Sequence, residues 1–89
     1  MIESGTIVEL ANKKKYIVTD GAEENGHVYY LTLEVDYDSE IPKEKSVFFE
    51  HVNDTFIPVT NEADIIFLKQ IFVDRFLNEY IDDETVEAV

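Results

Sequence analysis

Two histidines, His27 and His51, and a large number of carboxylates are the side chains of this sequence that could do chemistry. Histidine catalysis needs a nucleophile and an orienting carboxylate in one pocket, and neither a nucleophile elbow nor a metalloprotease spacing occurs here. The 89 residues contain no cysteine, which removes thiolate nucleophiles, disulfides and cysteine-ligated metals. We therefore expect two surface or half-buried strand histidines, no catalytic activity and no cofactor.

The run 36–40, Asp-Tyr-Asp-Ser-Glu, alternates oxygen donors as a calcium loop does. With Asp36 as the first ligand, however, Ile41 falls where such a loop needs glycine. Val47 falls where it needs a bidentate glutamate. Pairs of carboxylates for glycoside hydrolysis can be chosen from 20 acids in many ways, so their presence is uninformative. The sequence predicts no metal site.

The acids are unevenly placed along the chain. Residues 16–42 contain no Lys or Arg, and neither do residues 79–89, although both segments are rich in Asp and Glu. Glu34, Asp36 and Asp38 alternate along a predicted strand, which spaces them by about 6.6 Å. Phosphates advance by about 3.4 Å each along a nucleic-acid strand, so this row could replace alternate phosphates. We predict Glu34, Asp36, Asp38 and Glu40 as partner-binding residues, with solubility as the alternative reason for the acids.

Apolar residues recur with period two through the first two-thirds of the chain and then with the period of a helix. This pattern predicts strands over residues 6–10, 14–20, 27–37, 45–52 and 55–59. A hairpin connection is expected at 11–13, a polar loop at 20–26 and a tight turn at Asn53-Asp54. Pro58 cannot donate to a ladder, so the fifth strand should lie at an edge of the sheet.

The third predicted strand has apolar or aromatic residues at every odd position from Tyr29 to Tyr37. These side chains should face the core, and the even positions should face water or a partner. Leu33→Asp is therefore expected to unfold the domain, whereas Glu34→Lys is not.

Asn61 can cap a helix that should run to about Ile81. Its predicted core stripe recurs at steps of three and four and consists of Ile65, Leu68, Phe72, Phe76 and Tyr80. Phe67 and Ile71 fall on nearly the opposite side, where a surface helix should be polar. Either the sheet curls around the helix or this side binds another protein, with a homodimer as the simplest case.

These elements predict an α+β fold in which about five antiparallel strands form a meander, curled towards a small barrel and packed by one C-terminal helix. We expect one domain over residues 1–81, followed by an acidic tail over 82–89.

The segments 5–10, 15–20 and 29–31 together with the final helix resemble short acidic bacterial and phage proteins of unknown function. The resemblance covers most of the chain and supports the architecture. It implies no catalytic residues, because those families have none assigned.

The formal net charge of −13 argues against direct binding to nucleic acid or to anionic lipid. No signal peptide or membrane-spanning run is visible, so we expect a cytoplasmic protein. In charge and size the chain resembles phage anti-restriction, anti-CRISPR and glycosylase-inhibitor proteins. We expect an acidic inhibitor that mimics nucleic acid and occupies the basic channel of a nucleic-acid enzyme. The alternative is a bacterial accessory protein that acts through a helix-mediated protein contact or a homodimer.

Overall fold

A computed structural model of the chain describes residues 1–80. Its elements are β1 (Ile7–Glu9), β2 (Lys15–Glu24), β3 (His27–Val35), β4 (Pro42–Val52), β5 (Thr55–Pro58) and α1 (Glu62–Tyr80). The strands form a single antiparallel sheet in the order β1-β2-β3-β4-β5, curled into a half-barrel. The predicted α+β meander with a C-terminal helix is confirmed. Ile81 and the predicted tail 82–89 lie outside the described residues.

Two tight turns join the strands at one end of the sheet. Asn25 and Gly26 have φ angles of 52° and 82°, and Asn53 and Asp54 have φ angles of 48° and 64°. Two consecutive residues with left-handed backbone conformation give the turn a twist that matches the flanking strands, so the strands can remain hydrogen-bonded up to the turn. The predicted loop at 20–26 is therefore wrong, because β2 continues to Glu24. The predicted turn at Asn53-Asp54 is confirmed.

The sheet has an inner face and an outer face, and side chains alternate between them along each strand. The inner face carries Tyr16, Val18, Tyr30, Thr32, Glu34 and Phe49, and the outer face carries Ala22, Tyr29, Leu31, Leu33 and Phe48. α1 covers part of the outer face.

The prediction that the even positions of β3 face outward is wrong, and the odd positions form only part of the core: Val35 is 1% exposed, and Tyr29 and Leu31 pack against the cluster beneath the helix. Tyr30, Thr32 and Glu34 are 1%, 0% and 6% exposed, whereas Leu31 and Leu33 are half-buried. The curl of the sheet is the physical reason, since it brings inner-face side chains from different strands together without help from the helix.

Aromatic rings fill the inner face. Tyr16 meets Phe49 edge to face at 5.0 Å, and Tyr30 stacks on Phe56 at 5.7 Å between ring centroids. Thr32 satisfies its buried hydroxyl by donating a 2.9 Å hydrogen bond to the carbonyl of Val47. The inner face is thus a packed core, and none of its buried side-chain N or O atoms in the described residues lacks a hydrogen-bond partner.

α1 begins as predicted, with the side chain of Asn61 accepting a 3.1 Å hydrogen bond from the backbone N–H of Asp64. Its first half packs on the outer face, where Leu68 and Phe72 are buried against Ala22 and Phe48. The rings of Phe48 and Phe72 stack at 5.8 Å. The core under the helix is therefore small and lies mainly beneath its first three turns.

Candidate functional site

Glu34 is not part of an exposed row of acidic side chains. Its carboxylate lies on the inner face, where the Nζ of Lys43 donates a 3.1 Å hydrogen bond and the Nζ of Lys45 lies 3.7 Å away. The hydrogen bond from Lys43 lowers the pKa of Glu34 against the opposing effect of its burial. The prediction of an outward-facing Glu34 is wrong, because β4 places two lysines on the same inner face.

Asp36 and Asp38 do not continue the alternation of β3, since the strand ends at Val35. Asp36 instead organises a turn in which its side chain accepts hydrogen bonds from the backbone N–H of Asp38 at 3.2 Å and of Ser39 at 3.0 Å. The backbone hydrogen bond from Ser39 lowers the pKa of Asp36. The regular spacing assumed for a row of phosphate mimics is therefore absent, although Asp36 and Asp38 are exposed.

Glu40 belongs to a local network at the same end of the sheet. It accepts a 2.9 Å hydrogen bond from Lys15, whose ammonium lies 4.4 Å from the centre of the Tyr37 ring. That hydrogen bond raises the pKa of Lys15. Tyr37 in turn donates a 2.8 Å hydrogen bond to Glu9 and is 44% exposed, so its predicted core position is wrong. These contacts connect the loop 36–41 to β1 and β2.

The predicted apolar pair on the helix divides between two environments. Phe67 is 49% exposed, as the helical pattern predicts. Ile71 is half-buried and packs against the cluster that contains Phe48 and Leu68, so its placement opposite the core is wrong. Only Phe67 lies on the surface that was predicted to bind a partner.

The second half of α1 exposes large apolar side chains and borders a groove. Val73, Phe76 and Leu77 are 50%, 56% and 41% exposed, so the predicted core stripe is not buried at Phe76. The side chain of Tyr80, the last member of that stripe, lies outside the described residues. Between this half of the helix and the outer face lies a groove of about 900 Å³. Its apolar lining, which we call the apolar groove, consists of Leu31, Leu33, Phe48, Phe72, Val73 and Phe76.

A row of apolar side chains extends the apolar groove across the sheet, and an ion pair lies at its edge. Ile7, Ile17 and Leu33 are consecutive cross-strand neighbours, so half-buried apolar side chains continue from the groove across β2 to β1. Arg75 reaches from the helix to β2, where its Nη2 lies 3.2 Å from Oδ1 of Asp20. The ion pair connects the helix to β2 at the edge of the groove.

The sequence contains a signal for this exposed apolar surface of α1, although Phe67 and Ile71, the predicted partner-binding residues, do not line the groove. Ile66, Val73 and Leu77 follow at steps of seven and four, which places them on one flank of a helix. Together with the core stripe, Phe67 and Ile71 they make more than half of the helix circumference apolar, more than one face of a sheet can cover.

The opposite end of the sheet, beside the turns 25–26 and 53–54, carries acids and both histidines. The Nδ1 atom of His27 lies 2.6 Å from Oε2 of Glu50. A pocket of about 230 Å³ beside this pair is lined in part by Tyr29, Glu50 and Asp64. Burial raises the pKa of Tyr29, and the charges of Glu50 and Asp64 raise it further. His27 is exposed and His51 half-buried, as expected. Within residues 1–80, no three His, Cys, Asp or Glu side chains are grouped to hold a metal ion.

In the part of the chain that the structure describes, no helix has the length and apolar character needed to cross a membrane. Of the two cavities described above, the apolar groove is the larger. The chain matches no protein family model, and neither a similar curated protein nor a similar solved structure was found.

Proposed function

We propose that this chain is a non-catalytic binding protein that binds the basic surface of a partner protein through its apolar groove and the exposed flank of α1. The observation that carries the proposal is the exposure of Val73, Phe76 and Leu77 beside a groove of about 900 Å³. A contiguous apolar surface of this kind is typical of a protein interaction site.

The free energy available from burying these side chains supports a binding role. Fully burying a Val, Leu or Phe side chain contributes about 1.5–3 kcal/mol. Val73, Phe76 and Leu77 are about half exposed, so the folded chain leaves roughly 2–4 kcal/mol of burial unused at these positions. A partner that covers them recovers this free energy at the interface.

The test exploits the absence of cysteine, because one introduced cysteine gives a unique attachment point. A benzophenone photo-crosslinker attached to a Val73→Cys variant should capture a distinct partner protein in a lysate of the source cells. A matched label at Thr55→Cys, on an exposed position of β5 away from the groove, serves as the control. Equal capture at both positions would contradict the groove as the binding surface.

A nucleic-acid-mimicking inhibitor is the second candidate function, and the placement of charge favours a site other than the predicted row. Glu23 and Glu24 precede the Asn25-Gly26 turn, and Asp54 lies in the neighbouring turn. The described Lys and Arg ion pairs involve Asp20, Glu34 and Glu40 instead. Under this candidate the Thr55→Cys label, next to Asp54, should capture a nucleic-acid enzyme, and added DNA or RNA should abolish the capture.

A further inference from the structure

We infer that the occupant of the apolar groove is an amphipathic helix of the partner, with an apolar face and flanking Lys or Arg residues. This inference rests on the proposed function and specifies the partner that the groove accepts.

The groove offers a second helix an apolar floor and one helical wall. One wall is α1, and the floor is the outer face of the sheet at Leu31, Leu33 and Phe48. Two packed helices lie about 8–10 Å apart, so a second helix beside α1 would rest on the same floor. The apolar side chains of such a helix, spaced by three and four residues, would cover Val73 and Phe76.

Charge decides between a partner helix and a second copy of this chain. The net charge is −13, so two copies repel each other whereas a cationic segment is attracted. Exposed carboxylates also lie next to the lining in the sequence: Glu3 precedes Ser4, and Asp74 follows Val73. Lys69 is the cation among the lining residues, and it should weaken the binding of a basic helix.

The inference is tested with the full chain and three synthetic 18-residue peptides, using fluorescence anisotropy. One peptide is an amphipathic Leu/Lys helix, the second has Glu in place of every Lys, and the third is a scrambled Leu/Lys sequence with no apolar face. We expect the amphipathic Leu/Lys peptide to bind at least about tenfold more tightly than either control, and to bind more weakly as salt rises. The scrambled peptide measures attraction by charge alone.

Matched variants test whether the peptide binds in the apolar groove. Phe76→Ser should lose about tenfold in affinity for the amphipathic Leu/Lys peptide, because the apolar contact is removed without a change of charge. Phe67→Ser removes a comparably exposed aromatic outside the groove and should bind as the parent does. Lys69→Gln should tighten binding.

The alternatives give different results. Equal binding of the scrambled and amphipathic peptides, or full binding by Phe76→Ser, would overturn the inference. Self-association that strengthens with salt and is lost in Phe76→Ser would identify a second copy as the occupant and also overturn it. Photo-capture at Val73 by a partner, combined with no preference for the Leu/Lys helix, would leave the proposed function intact and reject only this partner. Failure of the photo-capture would count against the proposed function itself.

Discussion

At the scale of single residues, Glu34 shows how a buried carboxylate differs from an exposed one nearby in the sequence. Glu34 is 6% exposed and is bound by Lys43 and approached by Lys45, whereas Asp38, four residues later, is exposed. Its role is therefore to stabilise the inner face.

The first prediction concerns the pH dependence that Glu34 confers. Because its pKa is lowered in the folded chain, its contribution is present above the unfolded value of about 4.3 and is lost as pH falls through the folded value. Glu34→Gln should lose about 1–2 kcal/mol at pH 7, and its stability should fall less steeply below about pH 4.3. Chemical denaturation at pH 7 and pH 3 measures both effects. Asp38→Asn, the control, should change neither, and an equal loss there would contradict the assignment.

The second prediction compares neighbouring residues on opposite faces. Glu34→Lys places a third cation beside Lys43 and Lys45 on a buried face, whereas Leu33→Asp places a charge in the open groove. Glu34→Lys should therefore lower the melting temperature more than Leu33→Asp. The alternation in the sequence predicts the reverse order, so thermal melts of the two variants decide which face is more tightly packed at this end of β3.

At the scale of elements, the sequence predicts the strands and the helix well because their signals are local. Alternation reveals β3, and the side chain of Asn61 marks the helix start. The curl of the sheet is a property of all five strands together, so no local pattern reveals that Tyr30 is buried and Phe76 is not. The sequence shows the excess of apolar residues on α1 but does not predict the apolar groove, since the floor and wall of the groove come from distant segments.

The third prediction separates the packed half of α1 from the exposed half. Leu68→Ala should destabilise the fold by about 2–5 kcal/mol, because it empties a site that is 1% exposed. Phe76→Ala should cost less than about 1.5 kcal/mol, since the ring is 56% exposed. Urea unfolding of both variants gives the two values. A larger loss for Phe76→Ala would mean that the groove is part of the core.

The fourth prediction concerns two glycines at the β2–β3 hairpin. Gly26 has a φ of 82° and open space around it, so Gly26→Ala should cost about 1–2 kcal/mol through the backbone alone. An added Cβ at Gly21 would lie 2.9 Å from the ring of Tyr30. Gly21→Ala should therefore also disturb the Tyr30 side chain, whose ring resonances in an NMR spectrum should shift. Gly26→Ala should leave those resonances unchanged.

At the scale of the whole molecule, the net charge of −13 opposes folding as well as self-association. Salt screens this repulsion, and at physiological ionic strength exposed charges more than about 8 Å apart hardly interact. The apolar groove therefore lies on a molecule whose electrostatic field attracts cations.

The fifth prediction follows from this repulsion. Raising sodium chloride from 10 to 200 mM should increase the melting temperature of the parent chain. Glu23→Gln combined with Glu24→Gln should reduce that increase, because these carboxylates are adjacent at one turn. Lys13→Gln combined with Lys14→Gln should enlarge it. Scanning calorimetry in the two buffers measures the change, and an increase of equal size in all three proteins would show that local repulsion does not limit stability.

The half-barrel remains open, and its two edges restrict how another chain can attach. β1 has only three residues, and β5 has four and ends at Pro58, which lacks a backbone donor. Strand addition requires a long row of unpaired backbone groups, and neither edge supplies one. A partner of the kind we propose would therefore recognise side chains instead of extending the sheet. Such recognition can be tuned by single substitutions in the partner, whereas backbone pairing accepts almost any extended segment.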